Sequence, residues 1–164
     1  MEHTYRIVVG VEGSEGSLRA LRWAIHEAQT RGGTVQAVIV YDWFGTEAAL
    51  LAGLTPEAER DRARGALDAA VARVTNLNAQ VPIATEVLEG NAAVQLAEAA
   101  RDADLLVVGS RGHGQVHHAV LGSVSEGCIR HAICPVVVLP VPHETTAHPA
   151  DLAVVDDRIG DASG

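Results

Sequence analysis

The stretch from Leu105 to Ser125, LLVVGSRGHGQVHHAVLGSVS, narrows the possible folds of this chain sharply. It opens on Leu105-Leu106-Val107-Val108, a run too short for a helix and rich in β-branched residues. Such a run reads as a strand buried on both faces, the habit of parallel sheets covered by helices. Gly109 ends it, and the loop that follows carries Gly112, Gly114 and then Gly122-Ser123. Ser123 and Glu126 have the S-x-x-E spacing of a capping box, so the spacing predicts a helix with Ser123 at its cap. The order is strand, glycine-rich loop, helix N-terminus. Glycine lets backbone N–H groups come close to an anion, and the helix start adds free donors and a positive dipole end. A phosphate group suits that arrangement.

The rest of the chain repeats the alternation of strand and helix. Tyr5 to Val11 reads as a first strand, with Gly10, Glu12, Gly13, Ser14 and Gly16 forming a tight exit loop. Ser14 or Glu15 opens a helix to about Arg31, with Leu18, Leu21, Ile25 and Ala28 at helical spacing and Gly32-Gly33 as the stop. Thr34 to Tyr41 is a second strand, and Glu47 to Leu51 a short helical piece in the following loop. Pro56 suits the first turn of a helix over about residues 56 to 76. Ile83 to Leu88 is a third strand whose Thr85 and Glu86 suggest a sheet edge. Asn91 caps a helix to Arg101, and Val136 to Leu139 makes the fifth strand after a last helix to about Ala132. Alternation of this kind implies right-handed crossovers and a parallel α/β sheet with helices on both faces.

Two common phosphate motifs are excluded. The chain contains no lysine, so the P-loop lysine is missing, and the dinucleotide fingerprint G-x-G-x-x-G does not fit. What stands here is Gly109-x2-Gly112-x9-Gly122-Ser123. That pattern, G-x2-G-x9-G-[ST], resembles the ATP-binding signature of the universal stress protein family. Ile7 to Ser14 and Cys134 to Pro140 resemble the same family, and the likeness covers roughly residues 4 to 140.

The resemblance implies a Rossmann-like sheet, of the adenine nucleotide alpha hydrolase-like kind, in strand order 3-2-1-4-5. The first and fourth strands are then neighbours whose connections leave in opposite directions, a switch point where ligands bind. The loops after Val11 and after Val108 and Gly109 meet there. By resemblance the triphosphate lies over Gly112, Gly122 and Ser123 with a backbone contact from Val124, and the backbone of Val40 meets the adenine edge. Glu12 stands where the family usually has Asp, near the ribose and phosphates, and is the candidate Mg²⁺ ligand; Val11, Gly13 and Ser14 support the same loop. Arg111 has two readings, a phosphate partner or a solvated loop charge. Trp43 reads as packing rather than as a base stacker.

Composition bounds the remaining classes. The 164 residues suit a domain over residues 1–140 and an acidic tail over 141–164, which holds five acidic residues against one arginine. A formal charge of -9 argues against nonspecific nucleic-acid binding, and no apolar run reaches the length of a membrane span. The polar N-terminus shows no signal peptide, so the cytoplasm is expected. Cys128 and Cys134 read as reduced core residues. His113, His117 and His118 lack a third ligand of obvious spacing and read as pH-sensitive or phosphate-adjacent rather than metal-binding. The apolar fifth strand, Val136–Leu139, is an exposed edge that a second copy would cover, giving a homodimer. There is no G-x-S-x-G nucleophile elbow, and no base to position water is evident. The expectation is therefore a stress-response switch that binds ATP with Mg²⁺, hydrolysing it slowly at most, and acts on an unknown regulatory protein. The alternatives are a cyclic-AMP sensor or buffer, a nucleotide hydrolase or adenylyl-transferring enzyme, and a structural dimer with an empty cleft.

Overall fold

A computed structural model describes residues 3–75, 80–111 and 121–140. Among them the elements run β1 (Arg6–Gly10), α1 (Glu15–Arg31), β2 (Thr34–Tyr41), α2 (Glu47–Leu51), α3 (Pro56–Thr75), β3 (Ile83–Glu89), α4 (Ala92–Ala99), β4 (Leu105–Gly109), α5 (Ser123–His131) and β5 (Val136–Leu139). The strands form one sheet in the order β3-β2-β1-β4-β5, and every pair is parallel. The switch point between β1 and β4 follows from that order, with Val9 opposite Val107.

Strand alternation divides the interior into two cores. Ile7, Val9, Val35, Ala37, Leu105 and Val107 point to one face, where Leu18 and Leu21 of α1 and Leu67 of α3 cover them. Val8, Val38, Leu106 and Val108 point to the other, against Leu96 of α4 and Cys128 of α5. With few aromatics, both cores are built from aliphatic side chains, and the central strands β1 and β4 are buried on both sides.

Local signals place most boundaries. Ser14 caps α1 by accepting from the Ser17 N–H at 3.2 Å, and Gly32 closes that helix in the left-handed region at φ 63°. Asn91 caps α4 through the Val94 N–H at 3.2 Å, and α4 ends at Ala99, before Arg101. β3 runs one position past Leu88, to Glu89, and is an outer strand.

The start of α5 differs from the capping-box reading. Its N-cap is Gly122, in extended backbone, and no side chain among the described residues caps it. The Glu126 N–H donates to Gly122 O at 3.0 Å, so Ser123 is already inside the helix, and Glu126 pairs with Arg130 rather than reaching back. The reason is tertiary: the Gly122 N–H is taken by Ser110 O at 2.7 Å, which draws the chain onto the end of β4 one residue earlier than the local pattern suggests. Gly112, Gly114, His113, His117, His118 and the tail over 141–164 lie outside the described residues.

Candidate functional site

Two loops leave the carboxyl ends of β1 and β4 side by side and bound a cleft of about 230 Å³. From the first loop come Val11 and Glu12. From the second come Val108, Gly109 and Arg111, and the start of α5 adds Gly122, Ser123 and Val124. Val40 closes the side toward β2. Gly13 and Ser14 belong to the first loop but do not line the cleft, and neither does Trp43.

Glycine is required where backbones meet. A Cβ on Gly109 would lie 3.0 Å from Gly16 C, and a Cβ on Gly16 would lie 2.9 Å from Arg111 O, so α1 starts in direct contact with the exit of β4. A Cβ on Gly122 would come within 3.2 Å of Ser110 O. The glycine requirement there includes the protein's own backbone, so a bulky residue at 122 would move the β4 exit as well as fill the cleft.

Two serines outside the sequence-based set hold the loops. Ser17 is buried; its Oγ accepts from the N–H groups of Glu12 (3.3 Å) and Gly13 (3.1 Å) and donates to Ser14 O (2.9 Å). Ser125 is buried too, and its Oγ lies within hydrogen-bond distance of Gly122 O (2.9 Å) and Ser110 O (3.2 Å), its one proton serving one of them at a time. Each occupies the third position of a helix facing the cleft. The S-x-x-S spacing of Ser14 and Ser17 is a cap-like signal that the sequence expectations above do not use, and the apparent capping box conceals the matching role of Ser125. Ala92 and Leu96 of α4, with Val38, extend the lining on the apolar side, and no motif marks them.

The cleft is chemically divided. One end is apolar, walled by Val38, Val40, Leu96 and Val108. The other is the N-terminus of α5, whose first N–H groups have no side-chain cap among the described residues and whose dipole is positive there. Ser110 lines the cleft, and its buried hydroxyl has no hydrogen-bond partner among the described residues. The start of α1 is different: Ser14 caps it, and the Ser14 hydroxyl donates to the Glu12 carboxylate. Of these two helix starts, only α1 carries a side-chain cap among the described residues. Among the described residues no group of three or more His, Cys, Asp or Glu side chains is placed to hold a metal. Burial pushes the Cys128 thiol up to about 11, with a smaller contribution from nearby Cys134, so it stays a neutral core group.

The sequence pattern of one family matches residues 4–140, and its description is Universal stress protein family. The chain belongs to the universal stress protein family. A universal stress protein of Mycobacterium tuberculosis is 35% identical over 149 residues, 91% of this chain and 52% of that protein. The chain spans about half the length of the curated universal stress proteins it matches. Among solved structures, universal stress protein UspA from Lactobacillus plantarum superposes with a TM-score of 0.69 at 26% identity, covering 85% of this chain and 99% of that one. A universal stress protein in complex with cAMP superposes at 0.54 with 26% identity, over 85% of this chain and 98% of that one. The universal stress protein from Archaeoglobus fulgidus in complex with dAMP superposes at 0.58 with 25% identity, over 84% and 98%. No helix among the described residues is long and apolar enough to cross a membrane.

Proposed function

We propose that the cleft binds an adenine nucleotide, with the base against Val38, Val40 and Leu96 and the phosphates on the first turn of α5. The observation that carries this is the uncapped α5 N-terminus at one end of a cleft whose other end is apolar. The solved neighbours with cAMP and dAMP support the class of ligand. In this reading ATP is the ligand, Glu12 helps hold Mg²⁺, Arg111 meets the phosphates, and the protein is a switch that hydrolyses ATP slowly at most. The domain is residues 1–140, the protein acts in the cytoplasm, and two copies pair through β5.

Calorimetry with ATP, ADP, AMP and cyclic AMP, with and without Mg²⁺, tests it, alongside mass spectrometry of ligand extracted from fresh protein. ATP is expected to bind more tightly with Mg²⁺, and Glu12→Gln to remove that difference. Protein free of extracted ligand that binds none of the four at millimolar concentration would end the proposal. The neighbour with cAMP favours one second reading, a cyclic-AMP sensor. Its signature is tight cyclic-AMP binding that ignores Mg²⁺.

A further inference from the structure

We infer that Gly127 of α5 is a positioning residue for the nucleotide. It sets the distance between α4, which offers Leu96 to the base, and α5, whose first turn receives the phosphates. The inference deepens the nucleotide reading above and rests on it.

The contact that carries it lies next to the cleft. A Cβ on Gly127 would stand 2.5 Å from the Ala93 Cβ. Carbon atoms meet favourably at about 3.5–4.0 Å, so any side chain at 127 would part the two helices by about 1 Å. Ala93 is buried, and a methyl group has no other rotamer to turn into. Glycine inside a helix is otherwise a poor choice, because it gives up propensity relative to alanine. What it provides here is the close approach of α4.

The neighbours of this contact are cleft residues. Ala92 precedes Ala93 and lines the cleft, and Leu96 lines it from one turn further along α4. Gly127 lies one turn after Ser123 and Val124, which line the cleft from α5. Ala93, Leu96 and Cys128 belong to one packed core, so α4 and α5 hold a single separation. In the nucleotide reading the two helices serve opposite ends of the ligand. Their separation then has to match its span from base to phosphate. The phosphate of cyclic AMP is locked to the ribose in a ring, so this ligand has little freedom to follow a wider cleft. The three linked phosphates of ATP turn about several single bonds and follow it more easily.

Substitution and rescue, read by calorimetry with both ligands, test the spacing. Gly127→Ala is expected to raise the Kd for cyclic AMP about tenfold and for ATP less than threefold, with the circular dichroism spectrum unchanged. Adding Ala93→Gly is expected to restore both values, because the Ala93 Cα lies 4.0 Å from the new Cβ, an ordinary contact. If Gly127→Ala alone does not fold, the double variant decides: wild-type affinities support the spacing role, and a lasting loss overturns it. Gly127→Ala that binds both ligands as the wild type does would overturn the inference and leave the nucleotide reading standing. An equal loss for both ligands that Ala93→Gly does not restore would overturn it too. Wild-type protein that binds neither ligand would overturn the nucleotide reading and this inference with it.

Discussion

At the scale of single residues, Ser125 rather than Ser123 holds the start of α5. Ser123 is exposed and caps nothing, while the buried Ser125 ties Gly122 to the end of β4. Ser123→Ala is expected to change stability by less than about 0.5 kcal/mol. Its nucleotide affinity should fall about tenfold, the loss of one hydrogen bond to a charged group. Ser125→Ala should instead cost about 1 kcal/mol of unfolding free energy, the loss of one buried hydrogen bond, while Ser110 O and Gly122 O keep the N–H groups of Gly122 and Glu126. Urea melts and calorimetry on the two variants separate these outcomes. Asp104 offers a test by pH. The Arg6 backbone N–H at 2.8 Å, and then His3 at 2.7 Å, hold its carboxyl below the usual carboxylate range. A lowered native value contributes stability above the unfolded value of about 4, and that contribution is lost as pH falls through the native value. Asp104→Asn is thus expected to cost about 1 kcal/mol at pH 7, reduced by partial solvent exposure. The variant and wild-type urea midpoints should converge as pH falls through the lowered native value.

At the scale of elements, β5 shows how ladder parity decides what a mutation tests. All four residues of β5 are half-buried, and the strand is the sheet's outer member beside β4. The Leu106 N–H donates to Pro135 O, and the Ser110 N–H donates to Leu139 O. In an evenly spaced parallel ladder, Val137 then faces β4 while the backbone groups of Val136 and Val138 face outward. Proline at 137 would break the bond to β4, so Val137→Pro is a poor probe of pairing between copies. Val138→Pro removes an outward donor instead. If two copies pair through this edge, it should shift sedimentation toward monomer at micromolar concentration with helix content unchanged. A variant that sediments as wild type would place the contact elsewhere. The strand is legible in the sequence, because four apolar β-branched or aliphatic residues after Cys134-Pro135 admit little else, whereas its edge position follows from the strand order that the family resemblance implies. The parity is not, because it depends on the register against β4.

At the scale of the molecule, two aliphatic cores on either face of the sheet draw on residues from Ile7 to Cys128, with Val136 to Leu139 packed at their margins. The acidic stretch after residue 144 adds little apolar surface by composition. Removing residues 145–164 is expected to shift the thermal midpoint by less than about 2 °C in differential scanning calorimetry. A larger drop would show that this stretch docks on the folded body.

Much of this architecture was written in local pattern. Buried strands such as Ile7-Val8-Val9 and Leu105 to Val108, helix caps such as Ser14 and Asn91, and stops such as Gly32 act over a few residues. Their effects therefore appear in the sequence at the positions where they operate. The strand order came from likeness to a family, and the parallel register then brought the two glycine loops together. Only the tertiary structure decided which residue starts α5, since the Ser110 carbonyl that captures Gly122 arrives from another element. It also recruited Ser17, Ser125, Ala92 and Leu96 to the cleft. Those side chains meet through space, and neither hydrophobic period nor spacing carries that information.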